Sequence, residues 1–177
     1  MESVDVAAAR DADAAELAAV AARTFPLACP PTTTPENIGA FIDAHLSERR
    51  FRAYLADPHR DVLAAHCDGR IIGYCILIRA MPDDPDVQRA VTLRPSIELS
   101  KMYVLPDNHG AGASAALMTA ALDRAAATGA KSLWLGVNQH NQRAQRFYAK
   151  HGFTIHGTKT FQLGSGIEHD YVMVRAI

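Results

Sequence analysis

Apolar residues change their spacing along the chain, from helical in the first third to strand-like in the middle. The run VDVAAA at 4–9 is short and predicts a first strand. Asp13 and Glu16 form a capping-box-like start, after which Leu17, Val20, Ala21 and Thr24 recur at helical spacing. FPLACPPTTTP at 25–35 reads as a proline-rich loop. Thr34 then caps a second helix with Pro35 at its first position, and Ile38, Phe41, Ile42 and His45 make one face of it. Phe51, Tyr54 and Leu55 suggest a third helix, stopped by Pro58.

The period then shortens. DVLAAHC and RIIGYCILIR flank Asp68-Gly69, which predicts a β-hairpin. A long irregular connection at 80–96 follows, then a strand at 97–105. A helix from about Gly110 to Thr128 is ended by Gly129. KSLWLGV is a strand, and Asn141 starts a short helix with Ala144, Phe147, Tyr148 and His151 on one side, closed by Gly152. FTIHGTKTFQL and HDYVMVRAI close the chain as two strands. Helices, an antiparallel meander and then strand-helix-strand-helix-strand-strand describe a single α/β sandwich domain over 1–177 and not a doubly wound fold.

Composition changes this picture little. The 177 residues suffice for one domain with a sizeable core, and 49% hydrophobic with 21% charged residues is ordinary for a soluble globular protein. A formal net charge of -1 favours neither nucleic acid nor a membrane surface as partner. Cys29, Cys67 and Cys75 form no CxxC, which suits a reducing cytoplasm. No apolar run reaches the ~18 residues needed to span a bilayer, and the N-terminus lacks the pattern of a signal peptide.

Chemistry enters at LPDNHGAGASAALM, residues 105–118, where a glycine-containing turn joins a strand to a helix. Backbone N–H groups at a helix N-terminus, aided by the macrodipole, make an anion site, and glycines let a ligand approach closely. Simple turn chemistry is the alternative. The spacing is neither a Walker loop nor G-x-G-x-x-G.

Taken with LWLGVNQHNQRAQRFYAKHGF at 133–153, that loop gives V-x-P-x-x-x-G-x-G followed about 30 residues later by N-x-x-A-x-x-F-Y-x-x-x-G-F. This arrangement resembles the GNAT N-acetyltransferase superfamily, most clearly from Ile97 to Phe153. FPLACP at 25–30, GTKTFQLG at 157–164 and DYVM at 170–173 further resemble the PaiA-type bacterial polyamine N-acetyltransferases. The resemblance implies a mixed, mostly antiparallel central sheet flanked by helices, with acetyl-CoA as co-substrate. It implies that His109, Gly110, Ala111, Gly112, Ala113 and Ser114 cradle the CoA pyrophosphate. The family usually has Arg or Gln where His109 stands, and Gly or Ala where Ser114 stands, and both departures bear on CoA affinity.

Acetyl transfer to an amine needs a polarised thioester carbonyl, a neutral amine and a stabilised leaving thiolate. In the superfamily the strand before the loop splays and aims a backbone N–H at the acetyl oxygen. Met102, Tyr103 and Val104 match that segment, with plain strand core as the alternative. Glu98 matches a general base of several members. Strict alternation along the strand would put Glu98, Ser100, Met102 and Val104 on one face. A salt-bridged or edge carboxylate is the other reading.

Tyr148 matches the general acid, since a phenol of pKa about 10 can protonate a thiolate; a core tyrosine is the alternative. Asn141 is an N-cap that in the superfamily often also bonds the pantetheine arm. Lys150 is a CoA-phosphate partner or a solvated lysine. His169 is strand surface or acceptor-pocket lining, and Trp134 is core. No metal-ligand spacing is present and no metal is expected.

The expected activity is therefore acetyl transfer to a small amine. The narrower likeness points to a polyamine such as spermidine, which Asp83, Asp84 and Asp86 would steer if they are more than a solvated loop. Acetylation of a protein N-terminus, a lysine, an amino acid or an amine drug is the enzymatic alternative. A non-catalytic CoA-binding regulator is the third, against which the presence of both Tyr148 and Glu98 argues. A homodimer is expected by analogy alone.

Overall fold

A computed structural model describes residues 3–109 and 112–177. Seven strands form one sheet in the order β1-β2-β3-β4-β5-β7-β6. They are β1 (Asp5–Ala8), β2 (Arg60–Cys67), β3 (Arg70–Ile78), β4 (Ser96–Val104), β5 (Ser132–Asn138), β6 (Thr154–Leu163) and β7 (Gly166–Ala176). β4 and β5 pair in parallel and every other neighbour pair is antiparallel, giving the expected mixed sheet. The hairpin turn is where Asp68-Gly69 placed it, with φ of 53° and 76° at its two central residues.

Helices cover both faces. α5 (Ala113–Ala127) lies on one, burying Leu117, Met118, Ala121 and Ala125 against Cys75, Leu77, Leu99 and Leu133. Burying each of the larger side chains contributes about 1.5–3 kcal/mol. α6 (Gln142–Lys150) packs Phe147 and Tyr148 on the same cluster. α1 (Ala14–Ala28), α2 (Pro35–His45) and α3 (Glu48–Ala56) cover the opposite face around Leu17, Phe25, Phe41 and Phe51. Trp134 is buried there in a third cluster with Val172, Val174 and α4 (Pro85–Ala90), a core residue as expected.

Four local expectations change. α1 runs through Pro26 to Ala28, so the loop begins later than Phe25. Phe25 stacks on Phe41 at 4.5 Å, and that packing holds the last turn despite the missing N–H of Pro26. Asp13 and Glu16 do not form a capping box together. The Asp13 carboxylate instead accepts the N–H of Arg10 at 2.8 Å, and Glu16 accepts the N–H of Ile71 at 2.8 Å. The connection at 80–96 contains α4, capped by Asp84 with Pro85 at its start.

The fourth change bears on the site. Lys101 pairs with Ile76 but Leu99 pairs with Leu77, so Ser100 is the extra residue of a β-bulge. Strict alternation from Glu98 to Val104 therefore fails. Leu99, Met102 and Val104 pack with the α5 cluster, whereas Tyr103 joins the α1 cluster and Lys101 lies over the Phe41 ring. Glu98, one residue from Leu99 on a pleated strand, faces away from Met102 and Val104.

Candidate active site

Pairing between β4 and β5 ends at Glu98 and Trp134, although β4 continues to Val104 and β5 to Asn138. Beyond that point the two strands part, and a cavity of about 340 Å³ lies between them. Leu99 to Val104 line one wall, and Gly136, Val137 and Asn138 line the other. Polar backbone left without a strand neighbour in a cleft is available to a ligand.

At one end of the cavity stand His109, Ser114, Asn141 and Arg143. Gly112 has φ +83°, the left-handed conformation glycine adopts without strain, and a Cβ built there would meet nothing within 4 Å. Helix α5 starts just after it, and Ala116 donates to the Gly112 carbonyl at 2.9 Å, leaving the N–H groups of Ala113 and Ser114 ahead of that bond. The Ala113 side chain itself is buried in the core. Gly110 and Ala111 lie outside the described residues.

His109 is held on both sides. Its Nε2 lies 2.9 Å from the Val104 carbonyl and its Nδ1 lies 2.9 Å from the Arg143 guanidinium. The first contact needs a proton on Nε2 and the second needs a lone pair on Nδ1, so the ring is the Nε2–H tautomer. Its effect is to hold Arg143, a permanent cation, beside the loop. Asn141 caps α6 by accepting the N–H of Ala144 at 3.2 Å, and it also lines the cavity. Lys150 is exposed at the far end of α6 and does not line the cavity.

Tyr148 lines the middle of the cavity, half-buried, with its ring edge-on to Phe147 and Phe153 at 5.5 and 5.8 Å. Among the described residues its hydroxyl has no hydrogen-bond partner. Burial pushes its pKa up to about 12.

The other end of the cavity belongs to α1 and β7. Thr24, Phe25 and Leu27 to Pro30, with Phe161 and Leu163, form a largely apolar rim, and Glu168 and Asp170 supply two carboxylates. Asp170 is buried, with 6% of its surface exposed, and lies 3.6 Å from the Lys159 ammonium. Burial raises its pKa, against the pull of Lys159. Gly136 makes room for this pair, since a Cβ there would come within 2.7 Å of Lys159 Cε and 3.0 Å of Asp170 Oδ2. Glu98 sits behind the wall, among the charges of Lys101, Lys159 and Arg60, and burial raises its pKa. Glu98 and His169 line no part of the cavity, and neither do Asp83, Asp84 and Asp86. Asp84 caps α4, and Asp86 pairs with Arg89. Among the described residues no group of three or more His, Cys, Asp or Glu side chains could hold a metal ion. No helix among them is long and apolar enough to cross a membrane.

Residues 22–153 match the model of the Acetyltransferase (GNAT) family. The chain belongs to this family. As a GNAT enzyme it is an acetyltransferase with acetyl-CoA as its acetyl donor, and the splayed strands, glycine turn and helix N-terminus fit that ligand. An uncharacterized N-acetyltransferase of Mycobacterium tuberculosis is 61% identical over 165 residues, covering 93% of this chain and 98% of the relative. The PaiA N-acetyltransferase of Thermoplasma acidophilum, solved in complex with coenzyme A, superposes with a TM-score of 0.78 at 18% identity over 99% of both chains. An acetyltransferase of the GNAT family from Streptococcus pneumoniae gives 0.69 at 21% identity, over 99% of this chain and 100% of that one. At these identities the two solved structures show a shared fold.

Sequence reasoning placed Met102, Tyr103, Val104, His109, Ser114, Asn141 and Tyr148, and all seven meet at the GNAT cleft. It missed Arg143, Glu168 and Asp170. A signal for the last two was present, because carboxylates two residues apart on a strand share a face. Arg143 carried none, since one arginine on a helix ordinarily faces solvent.

Proposed function

We propose that the protein transfers the acetyl group of acetyl-CoA directly to the primary amine of a small molecule bound at the α1–β7 end of the cavity. The observation that carries this reading is the cleft beyond Glu98 and Trp134, with Tyr148 in its middle and Asp170 and Glu168 at the end away from the glycine turn. Acetyl-CoA supplies an activated thioester. The N–H groups of Ala113 and Ser114, with Arg143, hold its phosphates. Backbone N–H groups of Met102 to Val104 bind along the wall and polarise the carbonyl. Tyr148 gives its proton to the leaving sulfur.

The base role expected for Glu98 passes, in this reading, to Asp170, the buried carboxylate that reaches the cavity. Glu98 then acts through Lys101, whose charge it offsets. A carboxylate whose pKa is raised is a stronger base once ionised. The sign follows: Asp170 works when deprotonated, so activity is lost as pH falls through its raised pKa. Below that pKa the slope of log kcat/KM against pH should steepen from about one, the contribution of the amine itself, to about two. In Asp170→Asn the slope should stay near one throughout, with kcat/KM about tenfold lower. An unchanged profile in the variant would return the base role to another group.

For the acceptor, a polyamine such as spermidine has the PaiA-type sequence likeness, the fold neighbour and the two cavity carboxylates behind it. A second class, an amine that also carries an acid, is favoured by a cation-lined cavity next to Lys101. The test of the function is release of free thiol from acetyl-CoA with a panel of amines, peptides included. Turnover with a small amine above all peptides supports the proposal. No turnover with any of them would leave a CoA-binding regulator. Cys29, Cys67 and Cys75 form no CxxC pair, which fits the cytoplasm as the compartment. A homodimer rests on analogy.

A further inference from the structure

On the α2–α3 side of β4 lies a second cavity of about 440 Å³, separate in its depth but sharing Ser100, Lys101 and Phe161 with the first. Its cations are Arg50, Arg60 and Lys101, and no carboxylate among the described residues lines it. Phe41, Tyr54 and Phe161 supply aromatic walls. The cations are fixed by those rings: Arg60 lies 4.7 Å and Arg50 5.6 Å from the centre of Tyr54, and Lys101 lies 5.8 Å from that of Phe41.

Their charges are only partly met. Arg60 shares Asp57 at 3.2 Å. Among the described residues, Arg50 and Lys101 have no carboxylate within ion-pair distance. The Lys101 ammonium donates only long bonds, 3.3 and 3.4 Å, to the carbonyl and hydroxyl of Ser100. Glu98, on the same face of β4 but outside the cavity lining, offsets both Lys101 and Arg60, yet burial still lowers the Lys101 pKa. His45, at the rim, is held toward its neutral form by burial and by Lys101 and Arg50. Such a pocket repels a polyamine and attracts an anion.

We propose that this cavity receives an acidic group of the acceptor, a carboxylate or a phosphate, whose amine reaches past Lys101 into the first cavity. The acceptor is thus an amine that carries an acid. The inference rests on the acetyltransfer reading and names its substrate class. Lys101 stands at the junction, and Arg50 and Arg60 meet the acid at the far side, where guanidinium groups match its two oxygens.

The test compares three length-matched series with acetyl-CoA: ω-amino carboxylic acids, diamines and monoamines. At its best length the amino acid should exceed the matched diamine and monoamine by about fivefold or more in kcat/KM. The advantage should shrink as salt rises. Arg50 is exposed on α3, so Arg50→Gln should fold normally and bring the ratio of amino acid to monoamine down to about one. Arg49→Gln, whose side chain does not line the cavity, should keep the ratio. A diamine or monoamine that matches the amino acid at every length, or a ratio unchanged in Arg50→Gln, overturns the anion site while acetyl transfer stands. Thiol release with none of the series overturns both.

Discussion

Replacing Tyr148 with phenylalanine should lower kcat by about a hundredfold and change the KM for acetyl-CoA by no more than about threefold. General acid catalysis contributes ~10²–10⁴-fold, and the hydroxyl is needed mainly as the sulfur leaves. Burial holds Tyr148 near pKa 12, so the phenol stays protonated through neutral and moderately alkaline pH. That weak acidity is matched by its setting. Cys75, a thiol in the same cluster, is likewise pushed up to about 12 by burial. Desolvation in the cleft likewise makes a released thiolate a stronger base toward the phenol. The ring contacts with Phe147 and Phe153 survive in phenylalanine, so the variant should unfold at nearly the wild-type temperature. Wild-type kcat in a folded variant would reduce Tyr148 to a core residue.

Gly112→Val should raise the KM for acetyl-CoA about tenfold or more. Two costs act together. At φ +83° an L-residue pays roughly 1–2 kcal/mol, more for a β-branched one, so the turn shifts. The Cβ also enters the open space before the helix, where phosphate would meet the N–H groups of Ala113 and Ser114. Losing one charge-assisted hydrogen bond alone costs about 1.5–3 kcal/mol. Gly112→Ala should fall between wild type and valine. Steady-state kinetics with acetyl-CoA varied, alongside thermal unfolding, check the prediction. An unchanged KM in a folded valine variant would remove the loop from phosphate binding.

Local chemistry determined much of this protein without reference to its fold. Thr34-Pro35, Asp68-Gly69, Gly129 and Asn141 act on their own backbone neighbours, so caps and turns fell where those residues stand. The glycine turn and the Asn141 helix carry enough local pattern to name the family. What the fold alone decided involves residues far apart in the chain. Phe25 stays helical past its expected limit because Phe41 stacks on it. Glu16 leaves its helix cap because the N–H of Ile71, 55 residues away, lies within reach. The β-bulge at Ser100 inverts the facing of Glu98, and no period along one strand reveals a register set by pairing with another. Arg143 turns from a surface arginine into a cavity cation through His109, 34 positions earlier. Asp170 and Lys159 pair only because β6 and β7 align them, with Gly136 on β5 leaving room for their side chains. Charge in a cavity depends on which side chains meet across space, and only the tertiary structure determines that.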